Sequence, residues 1–549
     1  MTVPHEKPTL TRYDIRVPMR DGVTLSTDLW RPDSERPVHI VLGRTPYNKN
    51  NEQTARLGRL FSSHGYAFAM MDVRGRGDSD GAFTPYSADA QDGVDAIAWA
   101  AAQEWSSGKV ATIGGSYGGL IQWLTAVQRP PALAAMIAMV SPSDPYVEFP
   151  TGTSIPMTIS WHRLTAGRMR QHLDDVDWET VYRHLPLLTM DEAAGFRSPS
   201  WRDRQSHPTL DEFWQPLCYQ DRLGELDVPV LHISGWYDDE QVGTPRTFAA
   251  MVDGGAADQQ LLMGPWGHAI NTTRSLGEID FGPEALIDLD AYWLRWLDAQ
   301  LDDEPWPDKP VRMFVMGVDE WRDEDVWPPA GMELTPLYLH SDGAANSRLG
   351  DGRLSWAAPS ASEPSDSYDY APQRPVPFLT GITSAQLGGP DDYSAVELRG
   401  DILVYTSEPL TEPLQLIGPV RLVLHATSSA PDTDFTGKLL DVHPTGMAQR
   451  LCDGMVRARF RDGFDAERLL EPGTAVEYDI DLWHTAHVFL PGHRLRVEVA
   501  SSAFPKYDRN LNTGEPLATS TMMQTATQAV HHDAVRPSHL LCPVVPLGD

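Results

Sequence analysis

The stretch from Lys109 to Leu120 constrains this chain more than any other. An apolar run over 110–113 leads into Gly114-Gly115-Ser116-Tyr117-Gly118, and a helix-compatible segment over 120–128 follows. That order predicts strand, sharp turn, helix. A turn this tight holds its central residue in a strained conformation, with glycines where a Cβ would strike the neighbouring strand or helix. It lifts the Ser116 hydroxyl clear of the sheet. It also sets that residue at a helix N-terminus, where unpaired N–H groups and the helix dipole favour a developing oxyanion. Ser116 is therefore a candidate nucleophile, which needs a base, an acid to orient the base and a further oxyanion donor from elsewhere in the chain.

The flanking pattern supplies a matching fold. Residues 10–31 alternate apolar and polar around Asp21-Gly22, which predicts an antiparallel hairpin. Buried-type strands are expected over 38–42, 66–71, 110–113 and 134–140, with helices near 54–63, 90–102 and after Ser116. Short apolar runs separated by helices mean an α/β fold with a mostly parallel sheet covered on both faces. The rhythm stops over 142–225, a Trp- and His-rich stretch read as a helical cap, with helices expected over 176–187 and 210–219. It resumes with strands over 228–233 and 260–263 and helices over 245–251 and 283–301. Four segments follow: the first part of the α/β unit (1–141), the cap (142–225), the second part (226–304) and a C-terminal region (305–549). That last region opens after a Pro-rich acidic boundary and carries many short strands, beginning with 311–316 and including 436–442, 455–460 and 494–500. It is expected to form a jelly-roll-like β-sandwich.

Composition narrows the function. A formal net charge of −32 opposes phosphate contact, so no nucleic-acid partner is expected. The three cysteines, Cys218, Cys452 and Cys542, are far apart and form no C-x-x-C pair, which argues against a disulfide framework or a structural zinc site. The N-terminus lacks an apolar signal core and the longest apolar run, 132–140, is half a membrane span, so a cytoplasmic protein without membrane attachment is expected. A homo-oligomer is compatible with the sequence. The sequon at Asn271 and the Arg76-Gly77-Asp78 tripeptide carry no weight without export, and the glycine-rich 74–81 lacks a phosphate-loop ending.

In folds with a nucleophile elbow the triad follows in the order serine, acid, histidine, each after a C-terminal strand. The strand over 228–233 runs into Ser234-Gly235-Trp236-Tyr237-Asp238, and the next ends in Gly264-Pro265-Trp266-Gly267-His268. His268 is thus the expected base, with Asp238 or its neighbour Asp239 as the acid. Trp161 in the cap, and Trp266 beside the histidine, are expected to shape an acyl pocket.

Several motifs together resemble the CocE/NonD hydrolases, relatives of the X-Pro dipeptidyl-peptidases and α-amino acid ester hydrolases. They are Arg44-Thr45-Pro46-Tyr47, Asp72-Val73-Arg74-Gly75-Arg76-Gly77, Gly115-Ser116-Tyr117-Gly118-Gly119, Gly235-Trp236-Tyr237-Asp238, Gly264-Pro265-Trp266-Gly267-His268 and Trp321-Arg322. The resemblance implies an α/β-hydrolase domain, a helical cap and a C-terminal jelly roll. It further implies Asp238 as the acid, and the Tyr47 hydroxyl with the Tyr117 amide as the oxyanion hole. Glu240 resembles one member of the carboxylate cluster that binds a substrate ammonium in the α-amino acid ester hydrolases, but Gln241 follows where a second acid would be expected. The expected activity is serine-dependent hydrolysis of a small-molecule ester or amide, with no metal or organic cofactor. An X-Pro peptidase, for which Glu240 is the evident anionic group, an acyl transferase and a binding protein with a vestigial site are the alternatives.

Overall fold

The computed structural model describes residues 9–144, 155–302, 304–360 and 362–547. Its first sheet begins with the expected hairpin, β1 (Thr9–Pro18) against β2 (Thr24–Pro32), and continues through β3 (Val38–Thr45), β4 (Ala67–Asp72), β5 (Ser106–Gly115), β6 (Leu133–Met139), β7 (Val230–Gly235) and β8 (Gln259–Gly264). A small two-stranded ribbon, β9 (Ser275–Leu276) with β10 (Ile279–Asp280), stands apart, and β11 (Val311–Val315) and β12 (Glu320–Glu324) complete the sheet. The spatial order is β1-β2-β4-β3-β5-β6-β7-β8-β11-β12, parallel from β4 to β11, with β5 near the middle. Every residue of β7 and β8 is buried, as a strand covered on both faces requires.

Strand alternation divides the two cores. Ile137, Ile233 and Leu262 point towards α1 (Glu52–Ser63) and α9 (Leu289–Leu301). Their neighbours Met136, Ala138 and Val230 meet α3 (Tyr117–Ala126) and α8 (Gly243–Asp253), while α2 (Asp89–Ala101) packs on Ile40, Leu42 and Val110. Asn51 caps α1 by accepting the Thr54 N–H at 2.9 Å. The helix expected over 283–301 begins only at Leu289, because Asp288 accepts the Ala291 N–H and fixes the start there.

The expected strand 311–316 does not open the sandwich. It pairs in parallel with β8 and carries β12 at its edge, so the first sheet extends to Glu324, past the expected junction at 304–305, and Trp321-Arg322 belongs to it. Between Ile155 and Leu226 the cap holds four short helices, α4 (Thr158–Leu164), α5 (Trp178–Tyr182), α6 (Met190–Ala193) and α7 (Pro199–Ser206). The helix expected over 176–187 thus shrinks to five residues. The one expected over 210–219 is absent: Asp211 turns the chain by accepting the Phe213 N–H at 2.9 Å, and only a 3₁₀ turn, Gln215–Leu217, remains. Residues 145–154 of the expected cap lie outside the described residues. The cap has an aromatic core of its own, Trp178, Tyr182 and Trp201, which also takes in Leu387 and Phe504 from the C-terminal region.

Among the described residues that region is a jelly-roll-like sandwich of eleven strands, β13 (Glu333–His340), β14 (Arg353–Ser355), β15 (Asp366–Tyr370), β16 (Leu403–Thr406), β17 (Leu414–Ser428), β18 (Asp434–Val442), β19 (Ala448–Arg457), β20 (Val476–Phe489), β21 (Arg494–Ala500), β22 (Ala526–His531) and β23 (His539–Val544). The strand expected over 455–460 stops at Arg457, where a 3₁₀ turn begins. β17 is its hub: it pairs with β20, β22 and β23, and its alternate residues Val420, Leu422, Leu424 and Ala426 fill the core.

Candidate active site

Ser116 leaves β5 with φ +56° and ψ −126° and stands directly before α3. Its own N–H donates to the carbonyls of Met139 and Val140, both at 3.0 Å, which locks the elbow to β6. A Cβ on Gly114 would come within 2.6 Å of the Gly118 carbonyl oxygen, so no other residue fits there. The Tyr117 side chain is turned away into a buried bond to Asp89 at 2.6 Å and a stack on Tyr86. Its amide stands at the first helical position, where no intrahelical acceptor exists.

Tyr47 follows β3 and lines the same cavity as Ser116. The Trp161 indole N–H donates to its hydroxyl oxygen at 3.0 Å, which consumes an acceptor position and leaves the phenol proton free for another partner. Burial pushes the phenol pKa up, so it stays a donor. Trp161 itself lines the cavity and stacks on Tyr117 at 5.9 Å. Trp266 does not: its indole N–H donates to the Ala285 carbonyl and its ring packs near Trp321, deep in the sheet's core, because the residue's strand-end position points it inward.

The two aspartates after β7 separate clearly. Asp238 Oδ1 lies 2.8 Å from His268 Nδ1 and accepts the Glu240 N–H, while Oδ2 accepts the Ser234 hydroxyl at 2.7 Å. Asp239 stands 3.6 Å from the same ring nitrogen, and its Oδ1 has no hydrogen-bond partner. Both oxygens of Asp238 are thus held, and His268 presents its other nitrogen to the cavity. His268 is fixed at the backbone too: its N–H donates to Gln386 Oε1 at 2.9 Å, and the Gln386 amide donates to the carbonyls of Tyr237 and Gly388. A Cβ on Gly267 would sit 2.0 Å from that amide oxygen. A single glutamine in a loop of the β-rich region, Gln386 carries no signal in the sequence.

Three carboxyl groups crowd this edge. Burial pushes Asp239 up to about 6 and Glu240 well above the usual range. Burial draws the His268 pKa down, but the Asp238 hydrogen bond and the charges of Asp238, Asp239 and Glu240 outweigh it, so the net shift is upward. Glu240 lines the cavity beside Ser116, with Oε2 buried and unpartnered. Asp238, Asp239 and His268 are also close enough to hold a metal ion, although the Nδ1–carboxylate bond already occupies the space between them. The cavity measures about 370 Å³, is walled by the cap and the 383–387 loop, and suits a small organic substrate. Among the described residues no helix is long and apolar enough to cross a membrane.

Comparison with known proteins agrees with this architecture. Residues 21–270 match the X-Pro dipeptidyl-peptidase (S15 family) model, and 306–541 match the X-Pro dipeptidyl-peptidase C-terminal non-catalytic domain. An aminopeptidase from a marine sediment Thaumarchaeota archaeon superposes with a TM-score of 0.87 at 27% identity, covering 100% of this chain and 98% of its own. An α-amino acid ester hydrolase gives 0.86 at 26%, covering 99% and 98%. The cocaine esterase of Rhodococcus sp. (strain MB1 Bresler) is 38% identical over 97% of this chain and 98% of its own length. With that identity sustained from end to end, the chain belongs to the cocaine esterase-like (CocE/NonD) family of serine hydrolases.

Proposed function

We propose that the enzyme cleaves small carboxylic esters through an acyl-enzyme on Ser116. The observation that carries the reading is the Asp238–His268 bond at the rim of the cavity that Ser116 and Tyr47 share. Ser116 Oγ attacks the ester carbonyl while His268 takes its proton; the Tyr47 hydroxyl and Tyr117 N–H hold the oxyanion. Collapse expels the alcohol, which His268 protonates, and water repeats the sequence to release the acid. In this reading α/β strands on either side of the cap form one catalytic unit, the cap over 142–225 shapes the acyl pocket, and the protein works in the cytoplasm.

The test is pre-steady-state hydrolysis of p-nitrophenyl esters of graded acyl length. A burst of one p-nitrophenol per chain is the expected result; linear release without a burst, with no acyl adduct by mass spectrometry, would remove the acyl-enzyme. Removing the Tyr47 hydroxyl in Tyr47→Phe should lower kcat about 100- to 1,000-fold with little change in KM, because the bond it makes strengthens only as charge develops. Equal turnover by Tyr47→Phe would assign the second donor elsewhere.

Glu240 supports a second reading, in which the acyl group carries a free α-amine. Its unpartnered, buried Oε2 in the cavity is a ready acceptor for an ammonium. A charged hydrogen bond of this kind contributes about 1.5–3 kcal/mol. Glu240→Gln should therefore raise KM for α-aminoacyl esters about 10- to 100-fold and leave simple acyl esters unaffected. An equal effect on both substrate types would make Glu240 a structural group and leave the plain esterase reading.

A further inference from the structure

A second cluster of metal-binding side chains lies in the sandwich, away from the catalytic cavity. Asp441 is near the end of β18, His443 is in the turn to β19, His487 is near the end of β20 and His493 is in the turn to β21. Strand pairing of β18 with β21 and β19 brings these turns together. His493 Nδ1 lies 2.9 Å from both Asp441 oxygens, and His443 Nε2 lies 3.9 Å from Oδ2. The His443 and His493 rings are 4.6 Å apart, and the ligand atoms of Asp441, His443 and His493 all fall within 4.8 Å of one another.

These separations bracket what an ion requires. A tetrahedral site with bonds of about 2.0–2.1 Å has edges of about 3.4 Å, so the two separations from Asp441 change by about half an ångström and the imidazole nitrogens, within 4.8 Å of each other, close by at most about 1.4 Å. Asp441 is anchored from below: the buried His487 Nε2 is 2.9 Å from its Oδ2, which fixes the carboxylate as partners behind a ligand commonly do. The carboxylate side chain is 2% exposed, His493 12% and His443 26%, so the imidazoles form a rim open to solvent. Two imidazoles and one carboxylate select a borderline first-row ion over Ca²⁺ or Mg²⁺, which need oxygen-rich shells.

We propose that one oxygen of Asp441, His443 Nε2 and His493 Nδ1 bind a divalent ion of the Zn²⁺ type, clamping the β18–β19 turn to the β20–β21 turn. To bind, His443 turns from the Gln449 amide oxygen, 2.9 Å from its Nε2. The test titrates the EDTA-treated full chain with Zn²⁺ by calorimetry and with Co²⁺ by visible absorption. One ion per chain is expected, with an intense four-coordinate Co²⁺ spectrum. Affinity should fall at least 10-fold in His443→Gln, whose rim position makes it the milder change, and at least 100-fold in His443→Ala/His493→Ala, while both variants keep a cooperative melt. His268→Ala should retain the ion. Binding that survives the double variant, or that disappears in His268→Ala, would place the ion at the catalytic cluster and overturn the proposal, as would no binding at 100-micromolar-order Zn²⁺.

Discussion

Replacing Ser116 by alanine is expected to lower kcat for the preferred ester by about a million-fold, the cost of removing a triad nucleophile. The loss exceeds any stability effect, because the elbow conformation is imposed by neighbours that the substitution leaves in place: the Ser116 N–H on Met139 and Val140, and the close approach of Gly114 to Gly118. The variant should therefore fold, bind ester and form no acyl adduct. A residue of about 10³- to 10⁴-fold acceleration over water should persist, supplied by Tyr47, the Tyr117 amide and substrate positioning. Steady-state rates on purified Ser116→Ala, with intact-mass analysis after incubation with a slow ester, check both statements. A drop of only tenfold would mean that another nucleophile carries the chemistry.

The second large effect belongs to Asp238→Asn, for which a loss of about 10⁴ in kcat is expected. The asparagine amide donates where the carboxylate accepted, so the His268 proton moves to the other ring nitrogen and the base faces Ser116 in the wrong tautomer. The pH profile should change too. A carboxylate beside an imidazole favours the imidazolium, and Asp238 is the main contributor lifting His268 against its burial. As the proposed base, His268 must be neutral to accept a proton, so activity in the native enzyme should fade as pH falls through that raised pKa. Without the Asp238 charge the pKa drops, and the acid limb of kcat should move to lower pH. Asp239→Asn, at 3.6 Å from the ring, is the control and should change kcat far less. Equal losses in the two variants would contradict the assignment.

The parts of this molecule that were readable in sequence are those set by local periodicity. Strands such as β7 and β8, buried on both faces, announce themselves as apolar runs, and Asp238 and His268 follow them as Ser116 follows β5. What stayed hidden is held by long-range partners. Asp238 and Asp239 are adjacent on one loop, so spacing alone does not rank them; the family resemblance points to Asp238, and the bonds from Ser234, Glu240 and His268 fall on it. Val311–Val315 reads as a sandwich strand because nothing local reveals that β8 offers it a parallel edge. The cap resisted reading because its helices are short and its tryptophans pack by shape, and Trp266 went inward where its spacing suggested the pocket.

The clamp on His268 bears on when, during its making, the enzyme first becomes competent. A ribosome delivers Ser116, Asp238 and His268 well before Gln386, and the amide of Gln449, 3.3 Å from the Tyr237 hydroxyl, emerges later still. The sandwich that positions both glutamines cannot close around β17 until β22 and β23, which follow both of them in the chain, arrive. Domains fold from the N-terminus as they emerge, so the nascent sheet would hold Ser116, Asp238 and His268 before the Gln386 anchor of the His268 backbone has been made. Full esterase activity is thus expected only once the sandwich has closed behind the hydrolase sheet, and a chain released before β22 and β23 are made should hydrolyse esters poorly.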